Sequence, residues 1–257
     1  MSRFMDKVII ITGAAGGIGK EVARRLASEG AKLTLVDVNE EAIENMVSEL
    51  QLQEDNILVV KADVSKEQDV KNYVEKTVEK FGQIDGFANN AGVEGPAKPL
   101  EEVTEKDFDF VYNINVKGAL FGIKYVLPVM KKQKRGSIVN TSSVAGLIGS
   151  PGMVLYNSSK HALMGINKVA AIEAADYSVR VNTVNPGVIN TRMMRQIEAN
   201  VAPGSAEAAR SAYNEAVPMK RYGEPQEVAN VIVFLLSDEA SYVSSSSYTV
   251  DGGLFNM

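Results

Sequence analysis

Residues 7 to 27 restrict this chain more than any other stretch. Lys7-Val8-Ile9-Ile10-Ile11-Thr12 is an unbroken, largely β-branched run of the kind buried in a parallel strand. Gly13-Ala14-Ala15-Gly16-Gly17-Ile18-Gly19 follows, and Lys20-Glu21-Val22-Ala23-Arg24-Arg25-Leu26-Ala27 then carries apolar residues at helical spacing. Strand, glycine turn and helix in that order open a βαβ unit, which commits the chain to a parallel sheet. Glycines there let the backbone approach a pyrophosphate, and the free N–H groups of the helix start attract its charge. Gly13, Gly17, Ile18 and Gly19 are therefore candidate dinucleotide contacts, although the same turn would also serve tight packing of helix on strand.

The next strand, Lys32-Leu33-Thr34-Leu35-Val36, ends on Asp37, 18 residues after Gly19. An acid roughly 20 residues on is where the adenine ribose hydroxyls are bound. A carboxylate there repels a 2′-phosphate, by about 4 kcal/mol per unit pair at 4 Å and an effective dielectric of 20. Ala14, Ala15 and Val38 put no cation beside it. The pattern predicts NAD rather than NADP. A third run over 57–62 ends in Asp63-Val64, where Asp63 is placed to reach an adenine amino group or to cap the helix predicted over 66–81. A fourth strand over 84–88 runs into Asn89-Asn90-Ala91-Gly92, which reads as a turn or as the ligand side of an open sheet.

In the second half, Tyr156-Asn157-Ser158-Ser159-Lys160 sets a phenol and an ammonium four residues apart, on one face if the segment is helical. Ionising a free tyrosine at neutral pH costs roughly 4 kcal/mol, and one ammonium at about 4 Å returns a similar amount. Such a pair can exchange protons near neutrality, with Ser143 adding a hydroxyl for a substrate oxygen. An isolated Tyr-x-x-x-Lys also occurs by chance, so its weight comes from its company. His161 lies about 100° around the same helix from Lys160 and is expected to be structural.

Alternation of strand and helix patterns from end to end favours one domain over 1–257. With no cysteine and one histidine, thiol chemistry, disulfides, thiolate sites and His-cluster metal sites are excluded, and no metal is expected. The net charge of −5 carries no basic block, which argues against nucleic acid or an anionic membrane as partner. No apolar run approaches the roughly 18 residues a membrane helix needs. A soluble, cytoplasmic protein is expected.

Taken together, Thr12-Gly13-x-x-x-Gly17-x-Gly19, Asp63, Asn89-Asn90-Ala91-Gly92, Ser143 and Tyr156-x-x-x-Lys160 stand in one order, and the chain resembles the short-chain dehydrogenases/reductases over essentially its whole length. The resemblance implies an α/β, Rossmann-type doubly wound domain with a seven-stranded parallel sheet, and a homotetramer built on two long central helices. It implies that Asn115, inside a helical pattern over 107–132, disturbs that helix and holds a water linking Lys160 to solvent. Locally, Asn115 reads equally as a polar residue on a solvated face. Pro128 is expected to kink this helix or mark its last turns. The resemblance further implies that Asn90, Ala91, Gly92, Pro186, Gly187, Ile189 and Thr191 border the cofactor, with the carboxamide near Ile189 and Thr191. Lys160 would lower the Tyr156 pKa and bind the nicotinamide ribose, and residues 190–217 would form a substrate lid.

The expected activity is NAD-dependent interconversion of a secondary alcohol and a ketone. A 3-oxoacyl carrier-protein reductase is the near alternative, disfavoured by Asp37 and by the acidic net charge. A dinucleotide sensor without turnover is the alternative of another class. Segments around Asn90–Gly95, Lys220–Glu224 and Leu236–Val243 look most like the cyclic-ketone and cyclic-diol dehydrogenases of the family. Glu94, Ser143, Val144, Met153 and Met194 are the expected substrate contacts, and a compact cyclic substrate is predicted.

Overall fold

The computed structural model describes residues 2–202 and 204–256, so Met1, Pro203 and Met257, the second inside the expected lid, lie outside the described residues. Seven strands, β1 (Val8–Thr12), β2 (Lys32–Asp37), β3 (Ile57–Lys61), β4 (Gly86–Asn89), β5 (Gly136–Thr141), β6 (Val179–Pro186) and β7 (Ser247–Val250), join in one sheet. Their order is β3-β2-β1-β4-β5-β6-β7, and every neighbouring pair is parallel. Parallel pairing requires crossovers, which are supplied by α1 (Gly17–Ser28), α2 (Glu40–Glu49), α3 (Glu67–Phe81), α4 (Glu105–Tyr112), α5 (Ala119–Gln133), α6 (Val154–Ala175) and α9 (Pro225–Leu236). No helix of the described residues is long and apolar enough to cross a membrane.

The period of two along each strand builds two cores. On β1, Ile9 and Ile11 join the core beneath α1 and α9, while Ile10 joins the one beneath α3, α5 and α6. All three are fully buried, each contributing about 1.5–3 kcal/mol. The strand runs read from sequence reappear with ends shifted by one or two residues. Helix α2 is an addition: only Ile43 and Met46 are buried on it, so its apolar stripe is faint, and Asn39 starts it by accepting the Ala42 N–H.

The predicted helix over 107–132 is one rod of three parts. It begins earlier, at Glu105, because Thr104 and Asp107 form a reciprocal capping box. Between α4 and α5 the backbone widens into a π-helical turn, Asn113–Gly118. Gly118 permits close passage there: a Cβ would lie 2.9 Å from a Val64 methyl and 3.0 Å from the Val64 carbonyl oxygen. Pro128 stands in the last turns of α5, which runs on through it to Gln133. Residues 190–217 are largely helical, with α7 (Arg192–Val201) and α8 (Ala206–Ala216).

The strand order reverses between β1 and β4. Loops leaving the C-terminal ends of these neighbours diverge to opposite faces and open the crevice in which such sheets bind ligands.

Candidate active site

At the crevice floor, the buried Thr12 hydroxyl accepts the N–H groups of Asn90 at 3.0 Å and Ala91 at 3.1 Å, joining the β1 and β4 loops. The Asn90 amide returns bonds to the carbonyls of Thr12 and Gly13 at 3.2 and 3.3 Å. Gly13 holds φ +62°, and a Cβ on it would come within 3.0 Å of the Ala91 backbone. A Cβ on Gly19 would lie 2.1 Å from the Gly13 carbonyl oxygen. Helix α1 therefore starts against the glycine loop itself. Its N-cap, Gly16, supplies no side chain, its first turn holds no acid, and Gly16 and Gly17 are exposed. Free N–H groups at the N-terminus of a 12-residue helix suit a pyrophosphate. Ile18 turns inward against the core under α1.

Asp37 sits at the end of β2 with its carboxylate accepting the Ala15 N–H and the Asn39 N–H, each at 3.1 Å. Val38 is exposed beside it, and a recess of about 430 Å³ opens there among Val38, Asn39, three glutamates (Glu40, Glu41, Glu44) and Lys61. The parallel register sets Lys61 opposite Asp37, a cation that spacing alone did not reveal. Three acids against one base keep this end of the crevice hostile to a phosphate. Asp63 is not an N-cap: Lys66 occupies the cap position of α3. Burial opposes the Asp63 charge, but the Ser65 N–H and hydroxyl bonds and Lys66 bring its pKa below the ordinary range. Val64 packs against Gly118.

Ser143, Tyr156 and Lys160 converge where β5 meets α6. Lys160 is buried, donates to the Thr141 carbonyl at 2.9 Å, and holds its nitrogen 5.6 Å from the centre of the Tyr156 ring. Burial disfavours its charge and lowers its pKa to about 8. The expectation that Lys160 by itself draws the phenol toward neutrality is not met. Burial pushes the Tyr156 pKa up, the Ser143 hydroxyl pulls it down, and the charge of Glu94 pushes it up again. The Ser143 hydroxyl also reaches the Pro186 carbonyl at 3.3 Å and accepts the Ala145 N–H at 3.2 Å. Turned to Tyr156, its one proton stabilises a phenolate. His161 is exposed and shares its Nδ1 with the Asn157 carbonyl.

Asn115 is buried rather than on a solvated face. Its Oδ1 accepts the Val93 N–H at 2.8 Å, and its Nδ2 donates to the Val93 carbonyl at 2.8 Å and to Ser159 Oγ at 3.0 Å. Ser159 Oγ in turn donates to the Tyr156 carbonyl at 2.7 Å. One amide thus fixes the loop carrying Gly92 and Glu94 to the helix carrying Tyr156 and Lys160. On the other wall, the Gly187 N–H reaches the Val250 carbonyl, and a parallel bridge pairs Ile189 with Gly223. Thr191 starts α7 by accepting the Met194 N–H, and a Cβ on Gly17 would meet its methyl at 3.2 Å. Val144 and Met153 are buried near the Ser143 turn and the start of α6. Met194 lies in a small core with Val188, Val217 and Tyr222.

The sequence profile of the family described as "Enoyl-(Acyl carrier protein) reductase" matches residues 13–255. The chain belongs to the short-chain dehydrogenase/reductase family. Levodione reductase of Leifsonia aquatica is 42% identical over 254 residues, covering 98% of this chain and 95% of that protein. A 3-oxoacyl-[acyl-carrier-protein] reductase of Thermotoga maritima is 40% identical, covering 98% and 99%. Cyclohexanol dehydrogenase of an Acinetobacter species is 37% identical, covering 98% and 96%. Among solved structures, that of levodione reductase superposes with a TM-score of 0.96 at 41% identity, covering 98% of this chain and 99% of that one. NAD+-bound xylitol dehydrogenase gives 0.91 at 35% identity, covering 97% and 99%.

Within this short-chain dehydrogenase/reductase, three polar residues near the site carried little or no signal of their own. Ser159 stands inside the Tyr156-to-Lys160 motif but reads as a spacer until its bond to Asn115 is seen. Ser142 donates to the Lys160 carbonyl at 3.1 Å, yet its neighbour Ser143 draws the attention. Glu198 is a buried carboxylate in a segment that reads as an exposed, Met-rich lid.

Proposed function

We propose that this enzyme interconverts a secondary alcohol and a ketone with NAD(H), on a small cyclic substrate. The observation that carries the reading is the convergence of Tyr156, the buried Lys160 and the Ser143 hydroxyl at the mouth of the β1–β4 crevice. NAD, when bound, supplies or takes the hydride. The uncapped start of α1, the Gly13 and Gly19 approaches and the Asp37 carboxylate at the end of β2 fit such a dinucleotide. Gly13, Gly17, Ile18 and Gly19 would hold the pyrophosphate, Asp37 and Val38 the adenine ribose, and Asp63 and Val64 the adenine. Asn90, Ala91, Gly92, Pro186, Gly187, Ile189 and Thr191 would border the nicotinamide half.

In reduction, Tyr156 Oη gives its proton to the developing alkoxide. In oxidation, the phenolate takes the alcohol proton. Ser143 would hold the substrate oxygen, and Lys160 would hold the nicotinamide ribose and resupply the proton. The widened turn at Asn115 supports its holding a water between Lys160 and solvent, because a π-turn takes backbone groups off the regular ladder. Glu94, whose charge is felt at Tyr156, and the apolar Val144, Met153 and Met194 would line the substrate side.

The cyclic substrate class draws on levodione reductase and cyclohexanol dehydrogenase. The 3-oxoacyl reductase at 40% identity keeps the acyl alternative in play, but an acidic carrier would dock on a protein of net charge −5. Assembly as a homotetramer is supported by exposed Phe108 and Phe110 on α4, Leu120 on α5, and Val169 and Ile172 on α6, and light scattering reads it directly. The cytoplasm is the proposed compartment.

The test is a panel of cyclic ketones, their alcohols and acyl thioesters, each with NAD(H) and NADP(H). Turnover of the cyclic compounds with NAD(H) is expected. Activity confined to acyl thioesters, or equal use of both cofactors, contradicts the reading.

A further inference from the structure

We propose that Tyr222 is a fixed post on which both lid helices are seated, and that its bond to Glu198 sets the KM for substrate without entering the chemistry. The proposal rests on the reading of residues 190–217 as the substrate lid. A buried carboxylate is costly unless it is fully paired, so Glu198 in α7, 3% exposed, demands an explanation. Its partners are the Tyr222 hydroxyl, donating at 2.7 Å, and Arg195 Nη1, 2.6 and 2.7 Å from its two oxygens. The Arg195 guanidinium lies 5.1 Å from the centre of the Tyr222 ring, and that of Arg210, from α8, lies 5.6 Å from it. Two helices thus converge on one aromatic ring.

Tyr222 does not travel with them. Its neighbour Gly223 is fastened to the body by its N–H to the Val188 carbonyl at 2.9 Å and by the Asn190 N–H to its own carbonyl at 2.8 Å. Glu224 then begins α9 through a capping box with Glu227. Met194, one turn before Glu198 on the same face of α7, packs beside Tyr222 in the small core of this region. Where Glu198 is held, Met194 is placed.

A polar seat suits a part that must open. Lifting α7 exchanges the protein partners of Glu198 for water, so that of the seat only the small apolar part around Met194 is left to expose hydrophobic surface. The bond is also directional, so the closed lid has one position rather than several.

The experiment compares wild type, Tyr222→Phe and Glu198→Gln, saturated with NADH, by hydrogen exchange and by steady-state reduction of cyclohexanone. Exchange across α7 should quicken while the sheet is unchanged. The KM for cyclohexanone should rise about tenfold, as loss of a hydrogen bond to a charged group implies, with kcat and NADH affinity held within about twofold. Should Tyr222→Phe fold poorly, the exposed Arg210→Gln should quicken exchange in α8 alone. Unchanged exchange in every variant overturns the seat. Quickened exchange with an unchanged KM leaves the seat standing and overturns its link to substrate. If cyclohexanone is not turned over by wild type, the exchange measurement still decides the seat.

Discussion

Lys160 carries an ammonium into surroundings that favour the neutral amine. Its pKa of about 8 in the folded protein lies below the ordinary lysine value, so the unfolded chain binds the proton more tightly. The folded state bears that penalty in full below pH 8 and sheds it as pH rises from about 8 toward the unfolded value near 10.4. Lys160→Met should therefore raise the thermal midpoint at pH 7 by a few degrees while abolishing turnover, the lost Thr141 bond offsetting part of the gain. The advantage should fade as pH climbs past 8; a variant less stable than wild type at pH 7 would contradict it. Tyr156, raised above its ordinary value by burial, implies that alcohol oxidation accelerates toward alkaline pH more than ketone reduction does. At the far end of the crevice, Asp37→Ser with Val38→Arg should move preference toward NADPH, measured as the ratio of kcat/KM for the two cofactors. The three glutamates around Lys61 remain in that variant, so the shift should be partial.

The strands were legible as elements because short apolar runs bounded by turn residues mark buried strands, plainly in the β-branched β1 and more faintly in β4. So was the glycine turn, since its geometry demands residues without a Cβ. Gly19→Ala tests that demand: the new methyl carbon would stand 2.1 Å from the Gly13 carbonyl oxygen and 2.9 Å from the Ala14 Cα, both backbone. Helix α1 would have to shift, at a cost of about 1–3 kcal/mol. A lower thermal midpoint and weaker NADH binding are expected together; wild-type values for both would count against the cradle. Other elements were less legible. The π-turn depends on Gly118 passing Val64 and on Asn115 clasping Val93, contacts that no local periodicity encodes. Likewise, Glu198 and Tyr222 stand 24 residues apart with no motif between them, so only the folded chain reveals the seat. Helix α2 escaped notice because two buried residues make too thin a stripe.

At the scale of the whole molecule, the parallel sheet gathers residues from the loops after β1, β2, β3, β4, β5 and β6 along one edge, which is how short motifs scattered between Thr12 and Thr191 can serve a single site. The proposed catalytic group was legible as a set of spacings, yet its electrostatics were not: the phenol is tuned by Ser143 and Glu94 as well as by burial, and Lys160 bonds a carbonyl. The central claim is that Tyr156 is the proton donor and acceptor of an NAD-dependent alcohol and ketone oxidoreductase. Its most direct test is the steady-state reduction of cyclohexanone by NADH with wild type and Tyr156→Phe, alongside a fluorescence titration of NADH binding. Turnover should fall by a factor of about 100 or more in the variant, as loss of a general acid implies, while NADH affinity stays within about twofold of wild type. Near-normal turnover in Tyr156→Phe would contradict the account.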